Sequence, residues 1–225
     1  MRPLQPLPIP CLCLVTDRKL CGIDSPDLLE EKVEAAVSGG VDMVQLREKD
    51  LPAGELLQLA RKLRSITDGK ALLVINDRLD VALAAEADGL HLPEDSIAVH
   101  DARRVVPSQL LVSKAVHDSA GASLAAGEGA DCLVLGTIFP TSSKPGVKTG
   151  GLELITAVKR LVEAPVLAIG GIDPSNAASV IRAGAKGIAV ITSILGASDP
   201  EKAARELKQS MMAAWEASEE VSLRP

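Results

Sequence analysis

Short apolar runs of strand length alternate along the chain with longer segments of helical periodicity. The predicted helices include residues 25–40, 52–67 and 174–185. The eight predicted strands lie at residues 11–17, 42–48, 71–77, 89–92, 110–116, 131–138, 165–171 and 187–194. Strict alternation predicts right-handed crossovers and a parallel sheet, either open and doubly wound or closed into a barrel. Eight repeats favour the α/β barrel, a (β/α)8 TIM barrel.

Capping residues predict where helices begin, and the length of the chain predicts the number of domains. Ser25, Ser175 and Asp199 are predicted N-caps, with Pro26 and Pro200 in the first helical position. A chain of 225 residues suits one barrel, so residues 1–225 are predicted to form a single domain. The ends, about residues 1–10 and 217–225, are predicted to be loosely ordered.

Composition excludes one large class of partner. The chain is 47% hydrophobic but only 1% aromatic, so its core must consist of Val, Ile, Leu and Ala. The net charge of −6 and the lack of aromatic side chains for stacking argue against nucleic-acid binding. Small-molecule substrates are therefore the expected partners, and assembly into a homo-oligomer stays open.

Cysteine placement and the N-terminal segment bear on location. Cys11, Cys13 and Cys132 lie in apolar runs, which predicts buried structural thiols in a reducing compartment. The segment MRPLQPLPIP contains four prolines and makes a poor signal peptide. No apolar run approaches the roughly 18 residues that a membrane span requires. A cytoplasmic location without membrane attachment is expected.

The second predicted strand ends in an unusual polar cluster. Alternation places Gln45, Arg47 and Lys49 on one side of the chain. If that side faces the barrel interior, two cations and an amide meet at the barrel mouth, where they suit a pyrophosphate or another dianion. A solvated charge run is the alternative.

Acidic residues follow the third and fourth predicted strands. Asp77 could bind Mg²⁺ with Asn76 donating to a substrate oxygen, and Asp95 is in place to supply a second carboxylate. Loops after adjacent barrel strands converge on the same opening, which favours this interpretation. The alternative is that Asn76 and Asp77 cap the helix that follows them.

The later strands are followed by neutral hydrogen-bond donors. Thr141, Ser143 and Lys144 lie in a hydroxyl-rich loop that could close over a phosphate, although such loops often have no function. Gly171, where the seventh predicted strand ends, and Ile191 and Thr192, at the end of the eighth, lie where barrels commonly bind phosphate. His117 after the fifth strand could be a general acid or base, or simply a capping or packing residue.

These segments together resemble the thiamine phosphate synthase family from about residue 15 to residue 207. The matching strings are VQLREKD (44–50), VINDRLDVALAAEADGLHL (74–92), GADCLVLGTIFPTSSK (129–144), AIGGIDPSN (168–176) and AGAKGIAVITSI (183–194). The resemblance implies coupling of hydroxymethylpyrimidine pyrophosphate to a thiazole phosphate, with Mg²⁺ assisting the loss of pyrophosphate. In that family a pyrimidine cation forms and the thiazole nitrogen captures it.

The resemblance also implies residue roles. It assigns Asp77 and Asp95 to the metal. Catalytic roles fall on Arg47, Lys49 and Lys144. The implied ligands of the pyrimidine pyrophosphate are Gln45, Arg47, Glu48, Lys49 and Asn76. The implied ligands of the thiazole phosphate and the adjoining pyrophosphate are Thr141, Ser143, Lys144, Gly171, Ile191 and Thr192.

The chain departs from the family pattern at three positions. Asp95 matches the second metal ligand only with a slip of one residue, Ala115 replaces a serine, and Thr192 replaces a serine but keeps the hydroxyl. The first two changes, with His117, also resemble the thiazole tautomerases, a sister family in which such a histidine transfers a proton. Gln45, Lys49 and Asp77 favour the synthase. A non-catalytic phosphate-binding barrel and an unrelated barrel isomerase are further alternatives.

Overall fold

The computed structural model describes residues 6–21, 26–141 and 146–222, and within them a closed parallel barrel surrounded by helices. The strands are β1 (Cys11–Val15), β2 (Met43–Leu46), β3 (Leu72–Asn76), β4 (Gly89–Leu92), β5 (Leu111–Val116), β6 (Cys132–Gly136), β7 (Val166–Ile169) and β8 (Gly187–Val190). Each strand pairs with the next in sequence, and β8 closes on β1. The predicted (β/α)8 barrel is confirmed.

Helices connect the strands on the outside of the barrel. A 3-10 helix (Arg18–Cys21) follows β1. The α-helices are α1 (Pro26–Ser38), α2 (Ala53–Thr67), α3 (Leu79–Ala84), α4 (Val99–Arg103), α5 (Ser119–Gly127), α6 (Gly151–Lys159), α7 (Ala177–Arg182), α8 (Thr192–Leu195) and α9 (Pro200–Ser222). None of the helices in the described ranges has the length and apolarity needed to cross a bilayer.

Six of the eight strands end one to four residues before the predicted position, and the last two show why. The predicted eighth strand is wrong beyond Val190, because residues from Thr192 onwards turn into the short helix α8. The predicted seventh strand is wrong beyond Ile169, because Gly170 and Gly171 adopt φ values of 107° and 62°, which a β-strand does not use.

The predicted helix boundaries are partly confirmed. Pro26 and Pro200 are the first residues of α1 and α9. Asp199 Oδ1 accepts a hydrogen bond from Lys202 N at 2.9 Å, as an N-cap should. Ser175 is not a cap, because it donates to Asp173 Oδ1 while Asn176 precedes α7. Ser25 lies outside the described residues.

The barrel interior is apolar through most of its depth. Its packed cluster contains Cys11, Cys13, Val15, Met43, Leu72, Val74, Leu111, Cys132, Val134, Leu167 and Ala189. The four cysteines are buried free thiols, as predicted. Burial raises the pKa of Cys132 to about 12, so this thiol stays protonated and behaves as a small apolar group.

At the N-terminal end of the strands, three aspartates tie neighbouring strands together. Asp42, Asp88 and Asp131 directly precede β2, β4 and β6. Each Oδ2 accepts a hydrogen bond from one backbone N–H of the preceding strand at 2.7 Å, and the donors are Leu12, Leu73 and Val112. The aspartate N–H donates to the carbonyl of the same strand residue at 2.9, 2.8 and 2.9 Å. We call each such double contact an aspartate clamp.

A cation from a helix completes each aspartate clamp. Lys208 Nζ lies 2.6 Å from Asp42 Oδ2, Arg64 Nη1 lies 2.5 Å from Asp88 Oδ2, and Arg103 Nη2 contacts Asp131 Oδ2. Lys186 precedes β8 instead of an aspartate; its N–H donates to Val166 O at 2.8 Å and its ammonium lies 4.4 Å from the Trp215 ring centre. Barrel enzymes bind substrates at the opposite face, so we assign these contacts to stability.

The ends of the chain are described only in part. Residues 1–5 and 223–225 lie outside the described ranges. The final helix α9 continues to Ser222, and Lys208 Nζ donates to Pro10 O at 2.9 Å, which joins this helix to the segment before β1.

Candidate active site

Four polar side chains form a layer inside the barrel where β2 to β5 end. Gln45, Asn76, His91 and Ser113 are between 3% and 7% exposed. Gln45 Nε2 donates to Asn76 Oδ1 at 3.3 Å, and His91 Nδ1 lies 2.9 Å from Ser113 Oγ. Buried polar groups need such partners, and this layer gives the barrel mouth a hydrogen-bonding floor.

His91 is a neutral member of this floor. Burial, together with the nearby cations Lys114 and Arg47, lowers the pKa of His91 to about 3. At neutral pH the imidazole therefore serves as a hydrogen-bonding group and carries no charge. His91 and Ser113 were not among the predicted site residues, although both are polar residues at inward positions of apolar strands.

The cationic cluster at the end of β2 divides into interior and exposed members. Gln45 is buried in the barrel, Arg47 is half-buried, and Lys49 is exposed. The backbone N–H of Arg47 donates to Thr16 Oγ1 at 2.9 Å, which links the end of β2 to β1. Of the three residues predicted to face inward, Gln45 is therefore the most buried, Arg47 is less buried, and Lys49 reaches solvent.

Glu48 occupies a different environment from the one its predicted substrate contact requires. It is 5% exposed, and its carboxylate accepts hydrogen bonds from Thr16 Oγ1 at 2.7 Å and from Arg18 N and Nη1, both at 3.1 Å. These bonds use most of the acceptor capacity of a carboxylate. Glu48 therefore fixes the end of β2, and because it also lines a cleft at the ends of β2 to β4, its predicted substrate contact stays a prediction.

The cleft at the ends of β2 to β4 brings together some of the residues predicted for pyrophosphate with both predicted metal ligands, whereas Gln45 and Arg47 do not line it. It is lined by Glu48, Lys49, Leu51, Leu56, Asn76, Asp77, Arg78, Pro93 and Asp95. Asp77 has a φ of 63°, and Arg78 N donates to Asn76 O at 2.8 Å across it. Ser96 Oγ donates to Asp77 Oδ1 at 2.6 Å. The alternative that Asn76 or Asp77 caps α3 is wrong, because no side chain caps that helix.

The donor set of this cleft fits a magnesium ion shared with a substrate. Asp77 and Asp95 both line the cleft and offer hard carboxylate oxygens. Mg²⁺ commonly takes one or two protein carboxylates and completes its shell with water and substrate phosphates. Within the described ranges there is no group of three or more His, Cys, Asp or Glu arranged to hold a metal by itself.

A second pocket, of about 290 Å³, lies across the barrel mouth at the ends of β5 to β8. It is lined by His117, Gly136, Thr137, Pro140, Thr141, Ile169, Gly170, Gly171, Ile172, Asp173, Ala189, Val190, Ile191, Thr192 and Ser193. Four of the predicted phosphate ligands, Thr141, Gly171, Ile191 and Thr192, thus share one pocket. Ser143 and Lys144 lie outside the described residues.

The walls of this pocket are largely apolar, and their polar groups are mainly neutral, with Asp173 as a carboxylate among them. Thr192 and Ser193 are the first residues of α8, and the first N–H groups of a helix have no partner within it. Ser193 Oγ is used structurally, since it donates to Ile172 O at 2.5 Å. Asn176 Nδ2 donates to Gly171 O at 2.9 Å and fixes the turn after β7.

His117 lies between the second pocket and the loop after β4. Its Nδ1 is hydrogen-bonded to Gly136 O, which makes Nδ1 the protonated nitrogen because a carbonyl only accepts. Its Nε2 lies 3.3 Å from Glu94 Oε2. Helix α5 is capped by Asp118, whose Oδ1 accepts from Gly121 N at 2.7 Å, so His117 is not the cap.

Gly171→Ala is expected to weaken phosphate binding in the second pocket while the barrel stays folded. The residue has a φ of 62°, and an added Cβ would lie 2.4 Å from Pro140 O and 2.9 Å from Phe139 Cβ. The substitution must push the loop after β6 away from β7. We expect the Kd for inorganic phosphate, measured calorimetrically, to rise at least about tenfold, a change of about 1.4 kcal/mol.

Gly69→Ala is the matched control for Gly171→Ala. Gly69 lies between α2 and β3, outside both pockets; it also has a positive φ, 69°, but an added Cβ there would meet no atom within 4 Å. An equal loss of phosphate affinity in both variants would show that backbone strain alone, and not the contact with the loop after β6, causes the effect.

Comparison with known proteins agrees with this geometry. A family model described as thiamine monophosphate synthase matches residues 12–194. The chain belongs to the thiamine monophosphate synthase family. A "Thiamine-phosphate synthase" from Methanoculleus marisnigri is 46% identical over 181 residues, which cover 80% of this chain and 86% of that protein. A "Putative thiamine-phosphate synthase" from Geobacter sulfurreducens is 44% identical over 198 residues, 87% of this chain and 92% of that protein.

A solved structure of a related protein has the same fold. The "Thiamine phosphate pyrophosphorylase from Pyrococcus furiosus" superposes with a TM-score of 0.82 at 35% identity, covering 91% of this chain and 96% of that one. The names of these relatives support the synthase among the functions considered from the sequence. They do not support the tautomerase or the non-catalytic barrel.

Proposed function

We propose that the protein couples hydroxymethylpyrimidine pyrophosphate to a thiazole phosphate at the mouth of its barrel, giving thiamine phosphate and pyrophosphate. One observation carries the proposal. A cleft lined by Lys49 and three carboxylates at the ends of β2 to β4 faces the same opening as a pocket with mainly neutral polar groups at the ends of β5 to β8. Two phosphorylated substrates can therefore occupy one site side by side.

The cleft at the ends of β2 to β4 suits the pyrophosphate of the pyrimidine substrate. Lys49, which lines the cleft, supplies a mobile charge, and the half-buried Arg47, two residues before it on the chain, is proposed to reach the pyrophosphate with two parallel hydrogen bonds. Gln45 and Asn76 form the floor on which the pyrimidine would rest. Mg²⁺ held by Asp77 and Asp95 would neutralise charge on the leaving pyrophosphate.

The second pocket suits the thiazole phosphate. Backbone N–H groups of Gly171, Ile191 and Thr192, with the hydroxyl of Thr141, are the proposed ligands, together with Ser143 and Lys144. Apart from Lys144 these ligands are neutral, and backbone donors at the start of a helix can bind a phosphate without adding a full positive charge beside the pyrimidine carbon that becomes cationic. The two halves of the site thus favour ionisation of one substrate and attack by the other.

The coupling reaction requires charge stabilisation and little proton transfer. The bond between the pyrimidine methylene carbon and the pyrophosphate oxygen breaks, and its electron pair leaves with pyrophosphate. The thiazole nitrogen then donates its lone pair to the methylene cation, and the positive charge remains on the thiazolium. The attacking nitrogen carries no proton, so no general base has to remove one. Arg47 and Lys49 therefore contribute more to this chemistry than His117 does.

The decisive experiment supplies the protein with both phosphorylated halves and Mg²⁺ and measures thiamine phosphate. We expect product only when both halves are present, and we expect EDTA to abolish its formation. His117→Ala should slow the coupling by no more than about tenfold, because general acid–base groups, which give about 100-fold or more, are not used.

A proton-exchange assay on the thiazole tests the alternative function, that of a tautomerase. Metal-independent exchange that depends on His117, with no coupling by the wild-type protein, would contradict the proposed function and favour a tautomerase.

We further infer a cytoplasmic location, which the buried free thiols support.

A further inference from the structure

Lys114 makes a concentrated set of backbone contacts behind the active site. It lies on β5 between the inward residues Ser113 and Ala115, so its side chain leaves the barrel on the outer side. Its Nζ contacts four carbonyl oxygens, those of Pro93 at 2.7 Å, Glu94 at 3.3 Å, Ile97 at 3.4 Å and Ser96 at 3.5 Å. One ammonium with three donors thus gathers most of the loop between β4 and α4.

This loop has little other hydrogen bonding to hold its shape. Residues 93–98 contain no helix or strand, and the backbone hydrogen bond formed within them is that of one turn, from Ser96 N to Pro93 O at 3.1 Å. Carbonyl groups that converge on one point repel each other unless a cation lies between them. The Lys114 ammonium supplies that cation, and its loss would leave the loop free to open.

The same loop supplies two groups to the cleft that holds the proposed metal site. Asp95 lines the cleft, and Ser96 Oγ donates to Asp77 Oδ1 at 2.6 Å. Lys114 therefore acts on Asp77 indirectly: its ammonium binds the loop carbonyls, and the Ser96 hydroxyl of that loop binds the Asp77 carboxylate. Partial burial lowers the pKa of Lys114, while Glu128, Asp95, Asp77 and Glu94 oppose that effect.

We propose that Lys114 is a positioning residue for the metal site: it fixes the loop after β4 so that Ser96 orients the Asp77 carboxylate and Asp95 faces the cleft. This rests on the proposed function for the identity of the metal site. Groups behind the direct ligands typically affect metal affinity by 10- to 100-fold when they are removed, because they hold the ligands in place.

The sign of the effect separates positioning from simple electrostatics. Lys114→Met keeps the length of the side chain and removes a positive charge near a cation site. Coulomb's law alone then predicts tighter metal binding. Positioning predicts weaker binding, because Asp95 and Ser96 are no longer held in place.

The test is a titration with Mn²⁺, with and without inorganic pyrophosphate, followed by the electron paramagnetic resonance signal of free Mn²⁺. We expect Lys114→Met to raise the Kd for Mn²⁺ about tenfold. Lys114→Arg, which keeps a cation, should recover much of the affinity. In the coupling assay the Mg²⁺ concentration for half-maximal rate should rise while kcat at saturating Mg²⁺ changes little.

Lys208→Met is the matched control at the other end of the barrel. Lys208 Nζ also donates to a backbone carbonyl, that of Pro10 at 2.9 Å, and it pairs with Asp42. Its loss should lower the melting temperature and leave the Kd for Mn²⁺ at the wild-type value. A Kd raised equally in both lysine variants would reduce the role of Lys114 to general stability and overturn the proposal.

Ser96→Ala keeps the proposal testable if Lys114→Met does not fold. It removes one half-exposed hydroxyl and should raise the Kd for Mn²⁺ in the same direction. A wild-type or lower Kd in the variant that folds would overturn the proposal. If the wild-type protein binds Mn²⁺ and Lys114→Met weakens it, positioning is supported even where the coupling assay shows no product, and the proposed function alone would then fail.

Discussion

Asp77→Asn is expected to reduce the coupling rate by about 100-fold at low Mg²⁺, with partial recovery at high Mg²⁺. The substitution removes a hard anionic ligand while keeping the size of the side chain. Asparagine, like aspartate, tolerates the left-handed backbone, so the φ of 63° is retained and the melting temperature should change little. Initial rates across a Mg²⁺ series, with thermal unfolding of both proteins, measure the effect.

Asp80→Asn is the control for Asp77→Asn. Asp80 is three residues further along the chain and pairs with Arg78 on the surface, and it does not line the cleft. It should leave the Mg²⁺ dependence unchanged. Wild-type Mg²⁺ dependence in the Asp77 variant itself would remove this residue from the metal site.

Asp88→Ala is expected to destabilise the barrel by about 3–5 kcal/mol, as loss of one partner from a buried ion pair typically does. The carboxylate is 7% exposed and serves both the Arg64 guanidinium and the backbone N–H of Leu73. Its removal leaves a buried cation and a buried donor without their partner. For a domain of this size we expect the melting temperature to fall by roughly 6–20 °C, at about 2–4 °C for each kcal/mol.

The free energies of unfolding of three variants, measured with denaturant, test whether the loss of stability comes from the buried ion pair. Asp80→Ala, which removes an exposed partner, should change stability little because surface ion pairs contribute little. Arg64→Met with Asp88→Ala should cost less than Asp88→Ala alone, since no buried charge is then left unpaired. A stability loss in Asp88→Ala as small as in Asp80→Ala would contradict the role of the aspartate clamp.

Hydrophobic periodicity was sufficient to predict the barrel, because the pattern within each βα repeat identifies one strand and one helix to within a few residues. It failed to predict the strand ends where the backbone turns while the residues are still apolar. The apolar run ending in Ile191 continues past Val190, yet the chain turns there into α8. Likewise the Gly170–Gly171 pair ends β7 through positive φ values, which the apolar pattern of the segment does not register.

The candidate site was predictable to the extent that strand alternation governs it. Gln45 and Asn76 lie inside the barrel because both occupy inward positions, and the two amides meet there. The hydrogen bond between Glu48 and Thr16 could not be predicted, because Thr16 lies 32 residues away and no local pattern shows that contact. Lys114 raised no expectation for the same reason, since its carbonyl partners are 17 to 21 residues distant.

The aspartate clamps repeat with the same parts around the barrel. Each joins an odd-numbered strand to the next even-numbered strand, and the cation comes from the helix that precedes the odd strand: α2 for β3 and α4 for β5. For β1 that place is taken by α9, at the other end of the chain. The contacts therefore recur at three of the four pairs of an odd and the next even strand. At the fourth pair, β7 and β8, Lys186 stands where the aspartate would be and contacts Trp215 on α9. Helix α9 thus takes at β1 the place that α2 and α4 take elsewhere, and it closes the ring of helices by joining the last helix to the first strand.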